Sequence, residues 1–158
     1  MSITAQILDL ARQKSLKLTA AESCSGGLIA VALTDLPGSS ETFDRGFVTY
    51  SNAAKQEMLG VGTGILAEFG AVSEEVAREM AEGALAHSSA DIAVAVTGIA
   101  GPGGSEVKPE GRVCFGLARR KGRTQVETVD FGPLGRNAVR YATRDHALSL
   151  ILVALREA

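Results

Sequence analysis

The spacing of apolar residues along the chain alternates between two periods. Where apolar residues recur every three or four positions, the pattern predicts a helix with one buried face. Ser73 and the two glutamates after it are typical of a helix start, because serine caps free backbone N–H groups and acids complement the helix dipole. Five segments show the helical period, at residues 3–15, 28–36, 52–59, 74–87 and 137–155.

Short apolar and β-branched runs between these segments predict strands. The run Asp-Ile-Ala-Val-Ala-Val at residues 91–96 is continuous rather than alternating, which is typical of a strand buried on both faces. The last two runs are joined by Arg-Lys-Gly-Arg and predict an antiparallel hairpin. Strands are expected at residues 16–22, 43–50, 91–96, 112–119 and 124–131.

Helices interleaved with strands predict an α/β fold. We expect a three-layer α/β/α sandwich with a mixed, mostly parallel sheet and a C-terminal antiparallel hairpin. A chain of 158 residues fits one domain, so this domain is expected to span residues 1–158. The Gly- and Pro-rich residues 98–111 predict a long loop within it.

Composition and charge narrow the function classes. The net charge of -2 and the absence of a long basic run argue against a nucleic-acid surface. No apolar stretch approaches the roughly 20 residues of a membrane helix, and no signal peptide is visible, so a cytoplasmic protein is expected. Cys24 and Cys114 do not form a disulfide framework, and the isolated His87 and His146 provide no metal-ligand spacing.

Three segments with reactive residues each follow a predicted strand. In the first, Ser23 stands on a turn before a helix, where free backbone N–H groups of residues 25–27 can hold a phosphate or an oxyanion. Alternatively, Ser23 or Ser25 only caps the helix. Cys24 could be activated at the same place, although a small packing residue is the simpler interpretation.

The second segment places Tyr50 at a strand end and Lys55 in the first turn of a helix. A lysine at this position interacts unfavourably with the helix dipole, which suggests that it is there for a functional reason rather than for stability. With a lowered pKa it can act as general base toward a serine, whereas the plain alternative is a solvated surface lysine.

The third segment, Thr-Gly-Ile-Ala-Gly-Pro-Gly-Gly-Ser from Thr97, has neither Walker nor dinucleotide-binding spacing. Because open α/β sheets bind ligands at strand carboxyl ends, the three segments together predict a pocket.

Five motifs spread over the whole chain carry a resemblance to a known family. In order and spacing, the sequence resembles the C-terminal domain of the competence/damage-inducible protein CinA, whose stand-alone versions are nicotinamide-nucleotide amidohydrolases. Larger relatives carry an additional N-terminal domain. The motifs are Ala-Glu-Ser-Cys-Ser-Gly-Gly at 21–27, Gly-Phe-Val-Thr-Tyr-Ser-Asn-Ala-Ala-Lys at 46–55, Gly-Ala-Val-Ser-Glu at 70–74, Thr-Gly-Ile-Ala-Gly-Pro-Gly-Gly at 97–104 and Lys-Pro-Glu-Gly at 108–111.

The resemblance implies an enzyme that hydrolyses the carboxamide of nicotinamide mononucleotide to nicotinic acid mononucleotide and ammonia. It implies no metal or organic cofactor, a nucleotide as the small-molecule partner, and a homo-oligomer, by the family's example a dimer. Two alternatives stay open: a non-catalytic nucleotide-binding or competence-related interaction module, and a serine hydrolase for another amide.

The resemblance also assigns roles to residues. Ser23 corresponds to the nucleophile, which Tyr50 and Lys55 assist, with Lys55 neutral or sharing its proton with Tyr50. The family's substrate-holding arginine corresponds to Arg136 or Arg140. The residues expected to contact substrate are Ser25, Gly26, Gly27, Asn52, Thr97, Gly98, Gly101, Arg136 and Arg140.

Overall fold

A computed structural model describes residues 1–105 and 107–158 and shows one five-stranded sheet. Numbered along the chain, the strands are β1 (Leu18–Glu22), β2 (Phe43–Val48), β3 (Ile92–Gly98), β4 (Arg112–Arg119) and β5 (Gln125–Asp130). Their order across the sheet is β2-β1-β3-β4-β5.

The strand directions confirm a mixed, mostly parallel sheet. β1 pairs in parallel with β2 on one side and with β3 on the other. β4 is antiparallel to both β3 and β5, so it alone runs against the other four strands. β4 and β5 form the expected C-terminal hairpin.

Helices cover both faces of the sheet, which confirms the three-layer sandwich. On one face lie α1 (Ile3–Lys14), α2 (Leu28–Leu33) and α6 (Arg136–Glu157). On the other lie α3 (Asn52–Leu59), α4 (Thr63–Phe69) and α5 (Glu74–Ala86).

The central strand β3 explains why the two faces differ. Its larger residues Val94 and Val96 pack toward α6, and its alanines Ala93 and Ala95 pack toward α5. On β4, a Cβ at Gly116 would stand 2.5 Å from the carbonyl oxygen of Ala77 in α5. Small residues therefore let α5 approach the sheet closely, and the continuous burial of β3 agrees with its unbroken apolar run.

Several predicted boundaries were wrong by a few residues, and one helix was missed. α2 ends at Leu33 rather than at residue 36, and β2 ends at Val48 rather than at residue 50. β3 continues to Gly98 rather than ending at residue 96, so the first residue of the predicted loop belongs to the strand. α4 was missed because it has only seven residues and lies between glycines, with Gly62 at its N-cap providing no capping side chain and Gly70 at its C-cap.

The topology brings three strand ends to one edge of the sheet. β1, β2 and β3 are parallel, so Glu22, Val48 and Gly98 end at the same side. The chain leaves β1 toward β2 on one flank, and β3 lies on the other. Such a reversal of strand order opens a crevice at the carboxyl ends, which is where open α/β sheets bind ligands.

Candidate active site

The turn after β1 holds Ser23 beside the end of β3. The Ser23 backbone N–H donates to the carbonyl of Val96 at 3.1 Å, which fixes the nucleophile candidate to the central strand. The side-chain capping alternative for Ser23 and Ser25 was wrong. Gly27 occupies the N-cap of α2 with no side-chain bond of its own, and the Glu22 carboxylate accepts from the first backbone N–H groups of the helix.

Lys55 reaches the same point from the opposite layer. Its helix begins after Ser51, whose Oγ accepts from the N–H of Ala54 at 3.0 Å. The Lys55 side chain is only 1% exposed, so the solvated-lysine alternative was wrong. Lys55 Nζ lies 3.1 Å from Ser23 Oγ and donates to the Thr49 carbonyl at 2.9 Å.

The surroundings of Lys55 favour its neutral form. Burial lowers the pKa of the Lys55 ammonium below its ordinary value, opposed only by the neighbouring Cys24. Burial in turn raises the pKa of the Cys24 thiol to about 11, with the Glu22 charge adding to the effect. Cys24 therefore stays protonated near neutral pH and offers no thiolate. A lysine with a lowered pKa next to a serine hydroxyl has the geometry of a Ser–Lys nucleophile and base.

Tyr50 and Arg136 form a bridge at the mouth of the site. Arg136, the first residue of α6, donates to the Tyr50 hydroxyl at 2.6 Å and to the Gly101 carbonyl at 2.8 Å. Tyr50 is 59% exposed, and only its backbone carbonyl approaches Lys55, at 3.5 Å from Nζ. The expected proton sharing between Tyr50 and Lys55 therefore does not match the geometry, which pairs the phenol with an arginine.

The end of β3 forms the floor of the site. The Thr97 hydroxyl donates to the Ala71 carbonyl at 2.8 Å, joining this strand to the segment before α5. A Cβ at Gly98 would lie 2.6 Å from a Val113 methyl group and 3.1 Å from the Cys24 sulfur. Glycine is therefore required at position 98, because β3 packs closely there against β4 and against the turn that carries Ser23 and Cys24.

These elements surround a cavity of about 360 Å³, a size suited to a small ligand. Most of the predicted site residues line it: Ser23, Tyr50, Asn52, Lys55, Thr97, Gly98, Gly101 and Arg136. The other lining residues were not among the expected catalytic or substrate-contacting residues. Five of them belong to the segments that predicted the pocket, namely Cys24, Ile99, Ala100, Pro102 and Gly103, whereas Ala71 and Val72 do not. None of these described lining residues is acidic, so the charged groups of the cavity are basic.

Four predicted substrate contacts lie outside this lining. Ser25 is fully buried and donates to Glu22, while the N–H groups of Gly26 and Gly27 are bound by Ser23 and Glu22. Arg140 donates to the carbonyls of Cys24 and Ser25, so it stabilises the turn without lining the cavity. For these residues, direct substrate contact has no support in the geometry.

Within residues 1–105 and 107–158, no group of three or more His, Cys, Asp or Glu side chains is arranged to hold a metal ion. Over the same residues, no helix has the length and apolar character needed to cross a membrane.

Comparison with known proteins places the chain among relatives of similar sequence and structure. It is 55% identical over 141 residues to nicotinamide-nucleotide amidohydrolase PncC of Enterobacter agglomerans, covering 89% of this chain and 84% of that protein. It is 50% identical over 147 residues to a putative competence-damage inducible protein of Caldicellulosiruptor bescii, where it spans 92% of this chain and only 35% of the relative.

Solved structures extend this likeness to the fold. The crystal structure of competence/damage inducible protein CihA from Agrobacterium tumefaciens is 50% identical, with a TM-score of 0.87 and 96% coverage of both chains. That of the competence damage-inducible protein A from Klebsiella pneumoniae is 37% identical, with a TM-score of 0.93 over 98% of this chain and 95% of that one. The CinA C-terminal domain model matches residues 1–155, and the chain belongs to the CinA C-terminal domain family.

Proposed function

We propose that this protein hydrolyses the carboxamide of nicotinamide mononucleotide, releasing nicotinic acid mononucleotide and ammonia. The observation that carries the proposal is the buried Lys55 amine 3.1 Å from the Ser23 hydroxyl in a cavity of about 360 Å³. The similarity to a nicotinamide-nucleotide amidohydrolase supports an enzyme of this class.

The proposed chemistry proceeds in two stages. Lys55 accepts the proton of Ser23 Oγ, which forms a bond to the carboxamide carbon and leaves a tetrahedral oxyanion. Collapse of this intermediate breaks the C–N bond, and Lys55 returns the proton to the departing ammonia. A water molecule then attacks the acyl-enzyme with Lys55 again as base, which frees the acid and restores Ser23.

The charge distribution of the cavity favours a phosphorylated substrate. Arg136 is exposed at the mouth, and a guanidinium is well suited to bind a phosphate through paired hydrogen bonds. The pyridinium ring of the nucleotide is a cation, and no acidic side chain of the described cavity lining attracts it. The phosphate therefore supplies the attraction that the ring lacks.

Ammonia release tests the proposal. Wild-type protein is incubated with nicotinamide mononucleotide, nicotinamide riboside and free nicotinamide, with Ser23→Ala as the matched inactive protein. We expect release from the nucleotide, far less from the riboside, and a loss of several orders of magnitude in Ser23→Ala. Tight binding of the nucleotide without ammonia release would instead favour a non-catalytic module, and turnover of another amide alone would refute the assigned substrate.

A further inference from the structure

The buried carboxylate of Glu22 is not used by the proposed mechanism, although it adjoins the nucleophile. It is 1% exposed and accepts four hydrogen bonds. Oε1 accepts from the Ser25 hydroxyl at 2.6 Å, from Gly27 N–H at 3.2 Å and from Ile29 N–H at 3.0 Å. Oε2 accepts from Ala30 N–H at 3.0 Å. Every partner is a donor, which matches an ionised carboxylate.

This arrangement occupies the N-terminus of α2. The first N–H groups of a helix are the usual donors to an anionic ligand, but here the protein's own carboxylate accepts them. The remaining N–H groups nearby are also bound, since Gly26 donates to the Ser23 carbonyl and Leu28 to the Ser25 carbonyl. The helix start is therefore closed to substrate.

Two backbone donors of the turn are left over. Among the hydrogen bonds of the described residues, none uses the N–H of Cys24 or of Ser25 as donor. Both residues are buried, and a buried N–H normally has a partner. Cys24 directly follows the nucleophile, the position whose N–H binds the oxyanion in serine hydrolases with a strand-to-helix turn.

Of the two residues, only Cys24 lines the cavity. We infer that Glu22 is a positioning residue that holds the turn so that the N–H of Cys24 binds the oxyanion. Glu22 fixes the turn from the helix side, through its bonds to Ser25 and to the first residues of α2. Arg140 of α6 fixes it from the other side, by donating to the carbonyls of Cys24 and Ser25 at 3.2 and 3.4 Å. With both flanks held, the free Cys24 N–H keeps its direction during the reaction, as an oxyanion site requires.

This inference rests on the proposed amide hydrolysis, and its test separates the two. Glu22→Gln retains the shape of the side chain but loses the charge and one acceptor. We expect kcat for ammonia release to fall at least about tenfold, because the Cys24 N–H loses its alignment with the oxyanion, while KM stays within about threefold. The control is Ser2→Ala, which removes the N-cap of the distant α1. It should lower Tm and leave kcat unchanged.

A second readout addresses the oxyanion itself. In 3-pyridineboronic acid, the boron accepts an electron pair from Ser23 Oγ while the Ser23 O–H bond breaks and the proton passes to Lys55, giving a tetrahedral anion with every bond of the boronic acid intact. Its inhibition constant should rise in Glu22→Gln by about the same factor as kcat falls. The dissociation constant of the product, nicotinic acid mononucleotide, should change less than threefold. Equal losses for boronic acid and product would overturn the inference, because they would indicate a collapsed pocket.

The outcomes distinguish this inference from the proposed function. Active wild type together with an unimpaired Glu22→Gln refutes the role of Glu22 alone. Wild type without ammonia release, but with boronic acid binding that depends on Glu22, refutes the substrate alone. If Glu22→Gln does not fold, Ser25→Ala replaces it, since it removes one of the four contacts and retains the helix cap. A Ser25→Ala protein with wild-type kcat and boronic acid affinity would then overturn the inference.

Discussion

Replacing Lys55 by methionine tests the central feature of the site. Methionine has nearly the length of the lysine stem and fits a buried position, but it has no amine. Without the general base, kcat for ammonia release should fall by at least about 100-fold, the usual contribution of such a group. The wild-type rate should rise with pH through an apparent pKa below the roughly 10.4 of free lysine, because burial lowers the pKa of Lys55.

The same substitution has a stability effect whose sign depends on pH. The Thr49 carbonyl loses its 2.9 Å partner, which costs about 1–3 kcal/mol for a buried acceptor. Against this, a buried cation is removed. Since the pKa of Lys55 is lower in the folded state, the unfolded chain binds more protons between the two pKa values. Wild-type stability therefore rises with pH in that window, by up to about 1.4 kcal/mol per unit, and is constant below it.

Urea unfolding of both proteins from pH 6 to pH 10 measures this difference. Lys55→Met lacks the rise, so its disadvantage should be largest at high pH and smallest at low pH. The matched control is Lys121→Met on the exposed β4–β5 turn, which should change stability by no more than about 0.5 kcal/mol and leave catalysis intact. Parallel stability curves for wild type and Lys55→Met, or an unchanged pH profile of kcat, would refute the assignment of a neutral lysine base.

Three other substitutions test neighbouring features of the site. Arg136→Gln should raise KM for the nucleotide about 10- to 100-fold and barely alter kcat/KM for the riboside; equal effects on both would exclude a phosphate contact. Thr49→Val should raise the free energy of unfolding by about 1 kcal/mol in urea melts, because the buried Thr49 hydroxyl has no partner among the described residues; a destabilised protein would contradict this. Gly98→Ala should lower stability by about 1–3 kcal/mol in the same melts, since the new methyl group would overlap Val113, and an unchanged Tm would contradict that packing.

The sequence predicted the architecture well because the periods of its apolar residues are strong. The unbroken apolar run of β3 and the serine cap of α5 both lie where expected. Predictions were weaker where several segments had to meet in space. That Lys55 approaches Ser23 depends on how α3 packs beside the turn after β1, and no local pattern encodes that distance.

The role of Glu22 shows why the turn was misinterpreted. A serine before two glycines suggests a cap and a free helix start, and both ideas follow from local preferences. The residue that accepts the helix N–H groups is instead the last residue of β1, a position where alternation gives no reason to expect a buried acid. A glutamate in an otherwise uncharged buried strand, directly before a serine turn, was the available signal, since buried acids need partners.

The charge of the proposed substrate gives the lysine mechanism one further consequence. A pyridinium ring bound with its carboxamide at Ser23 lies near Lys55, and a cation nearby disfavours the protonated amine. No acidic side chain of the described cavity lining compensates that repulsion. The apparent pKa in the profile of kcat, which reports the substrate complex, should therefore lie below the pKa in the profile of kcat/KM, which reports the free enzyme. A neutral amide substrate that reaches Ser23 should show no such separation, and a separation of the opposite sign for the nucleotide would refute a pyridinium ring held next to the base.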